Sequence, residues 1–344
     1  MANTKNMVDD NLPSSQEVSP LIGACHLKRL WVKIQWRIKN ADSPGEFQDE
    51  WATDVAVLDM LGVGLEESMI MAARCVERFD EFEQWVLMKN GGVIPKKRVD
   101  SVNRMFKREK SSVLIEEPIL TDADLQFWDE NGYVILRQAV SEEDCRLAEA
   151  AVCNHLKMDA NDPKTWYENH SDRQGIMVQL FQHEALERNR FSEKIRKAYV
   201  QLWASDQLVV SNDRVSFNPP ETDRWKFPGP NLHWDVSLAS PIPFGVQGLL
   251  YLTDTTADQG AFQLVPGFHH KIEHWLKHLP DGVLPRTFDL ASLGAKPIAG
   301  NAGDFIIWHQ ALPHGSGKNT ATRPRIVQYI NWLKVDREIH EKWV

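Results

Sequence analysis

Residues 303–329 read GDFIIWHQALPHGSGKNTATRPRIVQY. Two short apolar runs flank a middle rich in Gly, Pro, Ser, Asn and Thr, the pattern of a strand, a turn and a returning strand. The same texture runs through VVSNDRVSFNPP (209–220), GVQGLLYLTD (245–254) and GAFQLVPG (260–267), and onward through RIVQYINWLK (325–334). Several short strands at this spacing predict an all-β barrel or jelly roll rather than a parallel α/β sheet.

Upstream of residue 209 the signals are mostly helical. Thr121 caps TDADLQFWDENG, whose first turn is acidic and whose end is Gly132, and a short strand follows at Tyr133–Leu136. Ser141, followed by Glu142, Glu143 and Asp144, caps a helix through Leu156. Nearer the N-terminus, Leu27, Leu30, Trp31, Ile34 and Ile38 recur at three- and four-residue steps, which predicts one buried helical face. A second stripe, Leu65, Met69, Ala72, Val76, Phe79, Phe82 and Val86, predicts one long helix stopped by Gly91 and Gly92. A turn is expected at Ser43–Pro44–Gly45. The basic run KKRVDSVNRMFKREK (96–110) reads as a solvated helix or linker and marks a boundary, a patch for an acidic or phosphorylated partner being the other reading. The expected organisation is a flexible polar tail over 1–20, a small all-helical domain over 21–113 and a β-rich domain over 114–344.

The bulk numbers fit this picture. The 344 residues are 42% hydrophobic and 25% charged, enough for a sizeable core. A formal net charge of −9 argues against whole-molecule attraction to nucleic acid or an anionic membrane. Cys25, Cys75, Cys145 and Cys153 form no CxxC pair, so buried reduced thiols are expected. With no basic, apolar leader and no stretch of 18 apolar residues, a cytoplasmic protein is the natural expectation.

Chemistry concentrates in two places. In NLHWDVSL (231–238), His233 and Asp235 are two apart, so on a strand an imidazole and a carboxylate share one face. His314 follows the apolar run 305–308. Two histidines and one carboxylate hold a metal on one side and leave positions open, as non-heme iron(II) oxygenases require. Eleven residues after His314 comes Arg325, whose guanidinium can take a carboxylate of a dicarboxylic acid through paired hydrogen bonds. Ser316 offers a hydroxyl to the same group.

The segments HWD (233–235), GLLYLTDTTADQGAFQLVPGFHH (248–270) and WHQALPHGSGKNTATRPRIVQY (308–329) resemble the phytanoyl-CoA dioxygenase family, a likeness covering roughly residues 120–335. The resemblance implies a double-stranded β-helix (jelly roll, cupin-like) with flanking helices. It implies Fe(II) held by His233, Asp235 and His314, and 2-oxoglutarate anchored by Arg325 with Ser316 as helper and Arg323 as the fallback. The implied reaction consumes O2 and converts 2-oxoglutarate to succinate and CO2 while a C–H bond of a small-molecule substrate is hydroxylated. Halogenating relatives lack the carboxylate that Asp235 supplies, so hydroxylation is favoured. Trp234 and Asn218 depart from the family pattern, at positions expected to line the cosubstrate pocket.

Other residues are candidates for lesser roles. Tyr251 is a candidate wall of the cosubstrate pocket, with core packing as the competing role, and Gln247 and Gln263 are candidates to face the cavity. His309 is a reserve ligand. His270, His274 and His278 would share one face of a solvated helix, with His269 beside them. A zinc hydrolase built on the same triad would leave Arg325 without a role, and a non-catalytic scaffold would leave the triad without one. The helical N-terminal domain is expected to lid the cavity, to form a homodimer or to bind a partner.

Overall fold

The computed structural model describes residues 12–40, 47, 50–76, 78–106, 117–229, 231–340 and 343–344. The chain divides into two compact units: residues 1–112 with 206–212 and 333–336, and residues 113–205 with 213–332 and 337–344. The division is therefore not a single cut near residue 113, because two short later segments group with the N-terminal helices.

The first unit holds α1 (Leu27–Lys39), α2 (Trp51–Met60), α3 (Leu65–Arg74), α4 (Phe79–Lys89) and α5 (Lys96–Phe106). The α1 stripe is buried from Leu27 to Ile34, whereas Ile38 is exposed. The long helix expected from Leu65 is two helices. After Cys75 the chain turns through Arg78, at φ −123° and ψ 77°, and a new helix starts with Asp80 and Glu81 in its first turn, where carboxylates favour a helix N-terminus. The turn leaves Val76 exposed while Phe82 and Val86 are fully buried. Apolar residues surround α2 instead of lining one face, so periodicity gives it no signature. The basic run is a helix as far as Phe106, and it is not wholly solvated: buried Arg98 donates to the Asp59 and Met60 carbonyls at 3.0 Å each, closing the end of α2. Residues 12–20 are not a free tail, since Val18 bridges Cys25 and Ser19 accepts from Gly23. The turn expected at 43–45 and the basic residues 107–110 lie outside the described residues.

The second unit is the jelly roll. Its large antiparallel sheet has the order β1 (Tyr133–Leu136), β9 (Phe305–His309), β6 (Val246–Tyr251), β11 (Arg325–Tyr329), β5 (Val215–Asn218), β3 (Met177–Val178) and β2 (Arg173–Gln174). Facing it is a smaller sheet of β10 (His314–Ser316), β7 (Phe262–Leu264) and β8 (Lys296–Ile298), extended by an antiparallel bridge between His233 and His314. A separate ribbon pairs β4 (Leu208–Val210) with β12 (Trp332–Lys334), and its residues 208–210 and 333–334 group with the first unit. Leu249, Tyr251, Ile306, Trp308 and Val327 point from the large sheet into the same core as Phe262, Leu264 and Ile298 of the small one. Alternation sends the intervening residues outward: Gln328 donates to the Leu186 carbonyl and accepts from Asn189 of α8 (Glu184–Arg190). On that face Tyr199 of α9 (Glu193–Trp203) also donates to the Ile330 carbonyl at 2.8 Å. Among the described residues no helix is long and apolar enough to cross a membrane.

α6 (Asp122–Asn131) forms with the predicted Thr121 cap and ends at Gly132, which is left-handed at φ +75°. A Cβ there would strike the His269 ring, so glycine meets both a backbone and a space requirement. The expected helical face of His270, His274 and His278 does not form, because a 3-10 turn over Phe268–His270 precedes the short α10 (Ile272–Lys277). His269 and His270 instead both turn their Nε2 to the Asp129 carbonyl, and His269 packs on His309. His309 Nδ1 accepts from the Ala311 amide, and burial, with His269 and His270 nearby, pushes its pKa down to about 3. A histidine whose folded pKa is lowered binds fewer protons than the unfolded chain between about pH 3 and about 6.5, so stability falls as pH drops through that window. Urea midpoints should therefore show a loss of about 2 kcal/mol from this residue between pH 7 and pH 5. His309→Asn, which keeps an acceptor near Nδ1, should remove that part of the acid sensitivity; an unchanged pH slope would show that His309 does not carry it.

Candidate active site

The bridge between residues 233 and 314 builds the site. His233 donates its amide to the His314 carbonyl at 2.8 Å, and His314 donates back at 3.0 Å. This pairing sets the two imidazoles side by side, with centroids 5.0 Å apart, and alternation brings Asp235 to the same face. His233 Nε2 lies 3.4 Å from Asp235 Oδ1, and His314 Nε2 lies 3.2 Å from Asp235 Oδ2.

The other ring nitrogens decide what these atoms can do. His233 Nδ1 is 2.9 Å from the Asn231 carbonyl, and His314 Nδ1 is 3.0 Å from the Leu312 carbonyl. A carbonyl only accepts, so each Nδ1 carries the proton and each neutral ring turns an Nε2 lone pair toward the carboxylate. Three acceptors thus converge with no donor among them unless an imidazole is protonated, and a cation satisfies all three. Fixing the far nitrogen by a backbone carbonyl is the usual support of a metal-bound histidine. Gln247 Nε2 donates to Asp235 Oδ2 at 2.9 Å. Partial desolvation pushes the Asp235 pKa up, but His233 and His314, in their protonated forms, and the Gln247 amide hold it far below the usual carboxylate range. Burial lowers the His233 pKa, yet Asp235 and the Asn231 carbonyl raise it on balance.

Two other groups of metal-ligand types occur among the described residues. In the first unit, His26, Glu50 and Asp54 already surround a cation, since the buried Lys33 ammonium lies 2.6 Å from Glu50 and 2.5 Å from Asp54. In the second unit, His155 and His170 approach Asp172, but His170 Nδ1 accepts from the Asp172 amide. That bond places the proton on Nε2, the wrong tautomer for ligation through it. Among the described residues, only the 233/235/314 group combines free lone pairs with an uncommitted centre.

Behind Ser316 lies Arg325, fully buried. Its Nη2 donates to Ser216 Oγ at 3.2 Å and to Ser316 Oγ at 3.0 Å, while Nε and Nη1 have no partner. A buried guanidinium with two unmatched donor nitrogens fits an anion such as a carboxylate. Arg323, by contrast, is exposed and donates to Asn161 at 2.9 Å, so the fallback anchor points elsewhere. A cavity of about 440 Å³ is lined by His233, Asp235, His314, Ser316, Gln247, Trp308 and others from the two sheets.

Four residues expected at the cavity are not among those lining it. Trp234 turns away from its neighbours' face into the core, where its indole donates to the Ala311 carbonyl at 2.9 Å. Tyr251 is also core: its hydroxyl donates to the Ile298 carbonyl at 2.6 Å and accepts from the Phe262 amide at 3.0 Å, and burial pushes its pKa up to about 12. It is not among the residues lining the cavity, and neither is Gln263. Asn218 stands opposite Arg325 in the β5–β11 register and donates to the Gly317 carbonyl at 3.0 Å.

Sequence reasoning overlooked Ser216 and Arg286. Ser216 sits on a strand adjoining Arg325, and only its period-two alternation with Asn218 hints at its direction. Arg286 donates to the Trp234 carbonyl at 2.9 Å and to the Val236 carbonyl at 2.7 Å, clamping the backbone on both sides of Asp235. It also donates to the Val344 carbonyl at 3.0 Å and lies over the Trp343 ring.

Residues 128–327 match the family model described as phytanoyl-CoA dioxygenase (PhyH). A putative phytanoyl-CoA dioxygenase of Dictyostelium discoideum is 24% identical over 257 residues, spanning 60% of this chain and 73% of its own length. The peroxisomal phytanoyl-CoA dioxygenase of Mus musculus is 24% identical over 240 residues, spanning 62% and 68% respectively. Among solved structures, EctD from S. alaskensis with bound Fe is similar with a TM-score of 0.48 and 17% identity, over 68% of this chain and 82% of that one. The chain belongs to the phytanoyl-CoA dioxygenase family and is an oxygenase dependent on iron(II), 2-oxoglutarate and O2.

Proposed function

We propose that this protein hydroxylates a C–H bond of a small molecule, with iron(II) held by His233, Asp235 and His314 and 2-oxoglutarate anchored by Arg325. The observation that carries the reading is the pairing of two unmet needs in one unit. Two histidine lone pairs and a carboxylate converge in an arrangement that a cation satisfies, and a buried guanidinium has two donor nitrogens with no partner among the described residues. A zinc hydrolase would use the first feature and leave the second as an uncompensated buried charge.

When bound, iron(II) would supply the chemistry by which O2, the oxidant, gives one oxygen atom to 2-oxoglutarate, which leaves as succinate and CO2, and the other to the substrate C–H bond. The chain's own residues do the positioning. Backbone carbonyls of Asn231 and Leu312 fix the imidazole tautomers, and Gln247 holds one carboxylate oxygen of Asp235. Arg325, with Ser216 and Ser316 orienting Nη2, takes the distal carboxylate of 2-oxoglutarate through Nη1. Four buried free thiols fit a reducing compartment, and burial pushes Cys145 and Cys153 up to about 12, where they stay protonated. A cytoplasmic location accords with this.

Anaerobic protein given iron(II) and 2-oxoglutarate should develop a weak visible metal-to-ligand charge-transfer band; folded, iron-loaded protein without the band would sink the proposal. Asp235→Ala should lose both the band and succinate formation. Arg325→Ala should raise the 2-oxoglutarate concentration for half-saturation about 10- to 100-fold, the loss expected for a charged hydrogen-bonded pair. An unchanged requirement would remove Arg325 from the anchor role.

Arg286 holds the backbone on both sides of Asp235, so Arg286→Ala should weaken Mn(II) binding about tenfold, as other losses of ligand support do. Titration followed by electron paramagnetic resonance reads this directly, with unfolding midpoints as the fold control. Undiminished metal affinity in a folded variant would mean that the clamp does not hold the ligand strand.

A further inference from the structure

Taking the proposed site as given, we propose that its substrate carries a carboxylate or phosphate group, which Arg214 binds at the end of the cavity away from the 2-oxoglutarate anchor. Three charged side chains line the cavity: Asp213, Arg214 and Asp235. Asp235 is engaged by His233, His314 and Gln247, and Asp213 accepts from Asn331 Nδ2 at 2.7 Å. Arg214 differs. Its backbone carbonyl accepts from the Tyr329 amide at 3.2 Å, but its half-buried guanidinium makes no hydrogen bond or ion pair among the described residues.

The sheet register fixes where this cation lies. Asn218 pairs with Arg325 and Ser216 with Val327, which puts Arg214 beside Tyr329 on the same face of the large sheet. Four residues of strand separate the Arg214 level from the Arg325 level, about 13 Å at about 3.3 Å per residue. One 2-oxoglutarate has a single distal carboxylate, and Arg325 takes it. The second guanidinium is left for a different anion.

Its surroundings define the rest of the ligand. Ile176 and Met177 lie on the neighbouring edge of the cavity, and Phe262 and Trp308 lie on the opposite walls. The Tyr329 hydroxyl, also lining the cavity, has no partner among the described residues and adds a donor beside Arg214. Apolar walls with one cationic pole select an apolar body with one anionic head. A neutral or cationic analogue would leave the guanidinium unmatched in a partly desolvated site. Carboxylate and phosphate both match a planar fork of donors, and their relative strength separates the two sources.

The test uses full-length protein held anaerobically with iron(II) and saturating 2-oxoglutarate, titrated with hexanoate, hexyl phosphate, hexanol and hexylamine. Binding is read from tryptophan fluorescence and from the shift of the charge-transfer band. At least one anionic probe should bind about tenfold more tightly than hexanol, a difference of about 1.4 kcal/mol, and hexylamine should be the weakest. Arg214→Gln should abolish that preference while hexanol affinity stays the same, and Arg214→Lys should restore part of it. Equal affinity for hexanoate, hexyl phosphate and hexanol in the unaltered protein would overturn the inference. So would a preference that survives in Arg214→Gln, or an Arg214→Gln variant whose only change is a raised 2-oxoglutarate requirement. Failure of the band to form at all strikes the iron and 2-oxoglutarate reading instead, which keeps the two failures apart.

Discussion

Two backbone hydrogen bonds, exchanged between His233 and His314, govern most of what this molecule can do. They join the segment after residue 230 to the small sheet, and in doing so bring together side chains that the chain supplies 81 positions apart. Period-two alternation then delivers Asp235 to the same face and sends Trp234 into the core. A one-residue slip of this register would exchange the two, burying a carboxylate among aromatic rings and presenting an indole to the site. The packing of Trp234 against Phe268 and Trp275 thus guards the register on which the chemistry rests.

That dependence explains which features the sequence reveals. His233, Asp235, His314, Ser316 and Arg325 are readable because local strand periodicity and short spacings relate them in two segments. The strands themselves are readable for the same reason, as are helices with a polar cap such as those at Thr121 and Ser141. Ser216 and Arg286 are not readable in this way. Each reaches its partner across roughly fifty to a hundred residues of sequence, and only the folded chain sets the distance. The misplaced Tyr251 makes the same point in reverse. Its strand position is right for the interior, but interior includes both core and cavity, and the hydroxyl's two hydrogen bonds assign it to the core.

The helical unit shows a different limit. A continuous apolar stripe from Leu65 to Val86 suits one helix on paper, yet Asp80 and Glu81 favour a fresh N-terminus, and the chain turns at 75–78 to bury Phe82 and Val86. Periodicity reports which faces are apolar and is silent on where a straight helix would run out of partners. Similarly, the basic run from Lys96 looks like solvated surface until α2 ends beside it and Arg98 finds two carbonyls. Charge counts describe a segment's composition, whereas the unsatisfied ends of neighbouring helices decide where a charge is buried.

Arg325 also has a bearing on how long the folded molecule persists. A fully buried guanidinium with two unmatched donor nitrogens subtracts from folding free energy until an anion pairs with it, since desolvation of the charge is otherwise uncompensated. Any dicarboxylate that settles against it binds the native state alone, and by mass action it deepens the native well in proportion to the logarithm of its concentration. On the proposed anchoring of 2-oxoglutarate, the arginine that orients a reactant would also couple the protein's lifetime to the supply of that metabolite, a lower supply leaving the unfolded state more populated and more open to proteolysis.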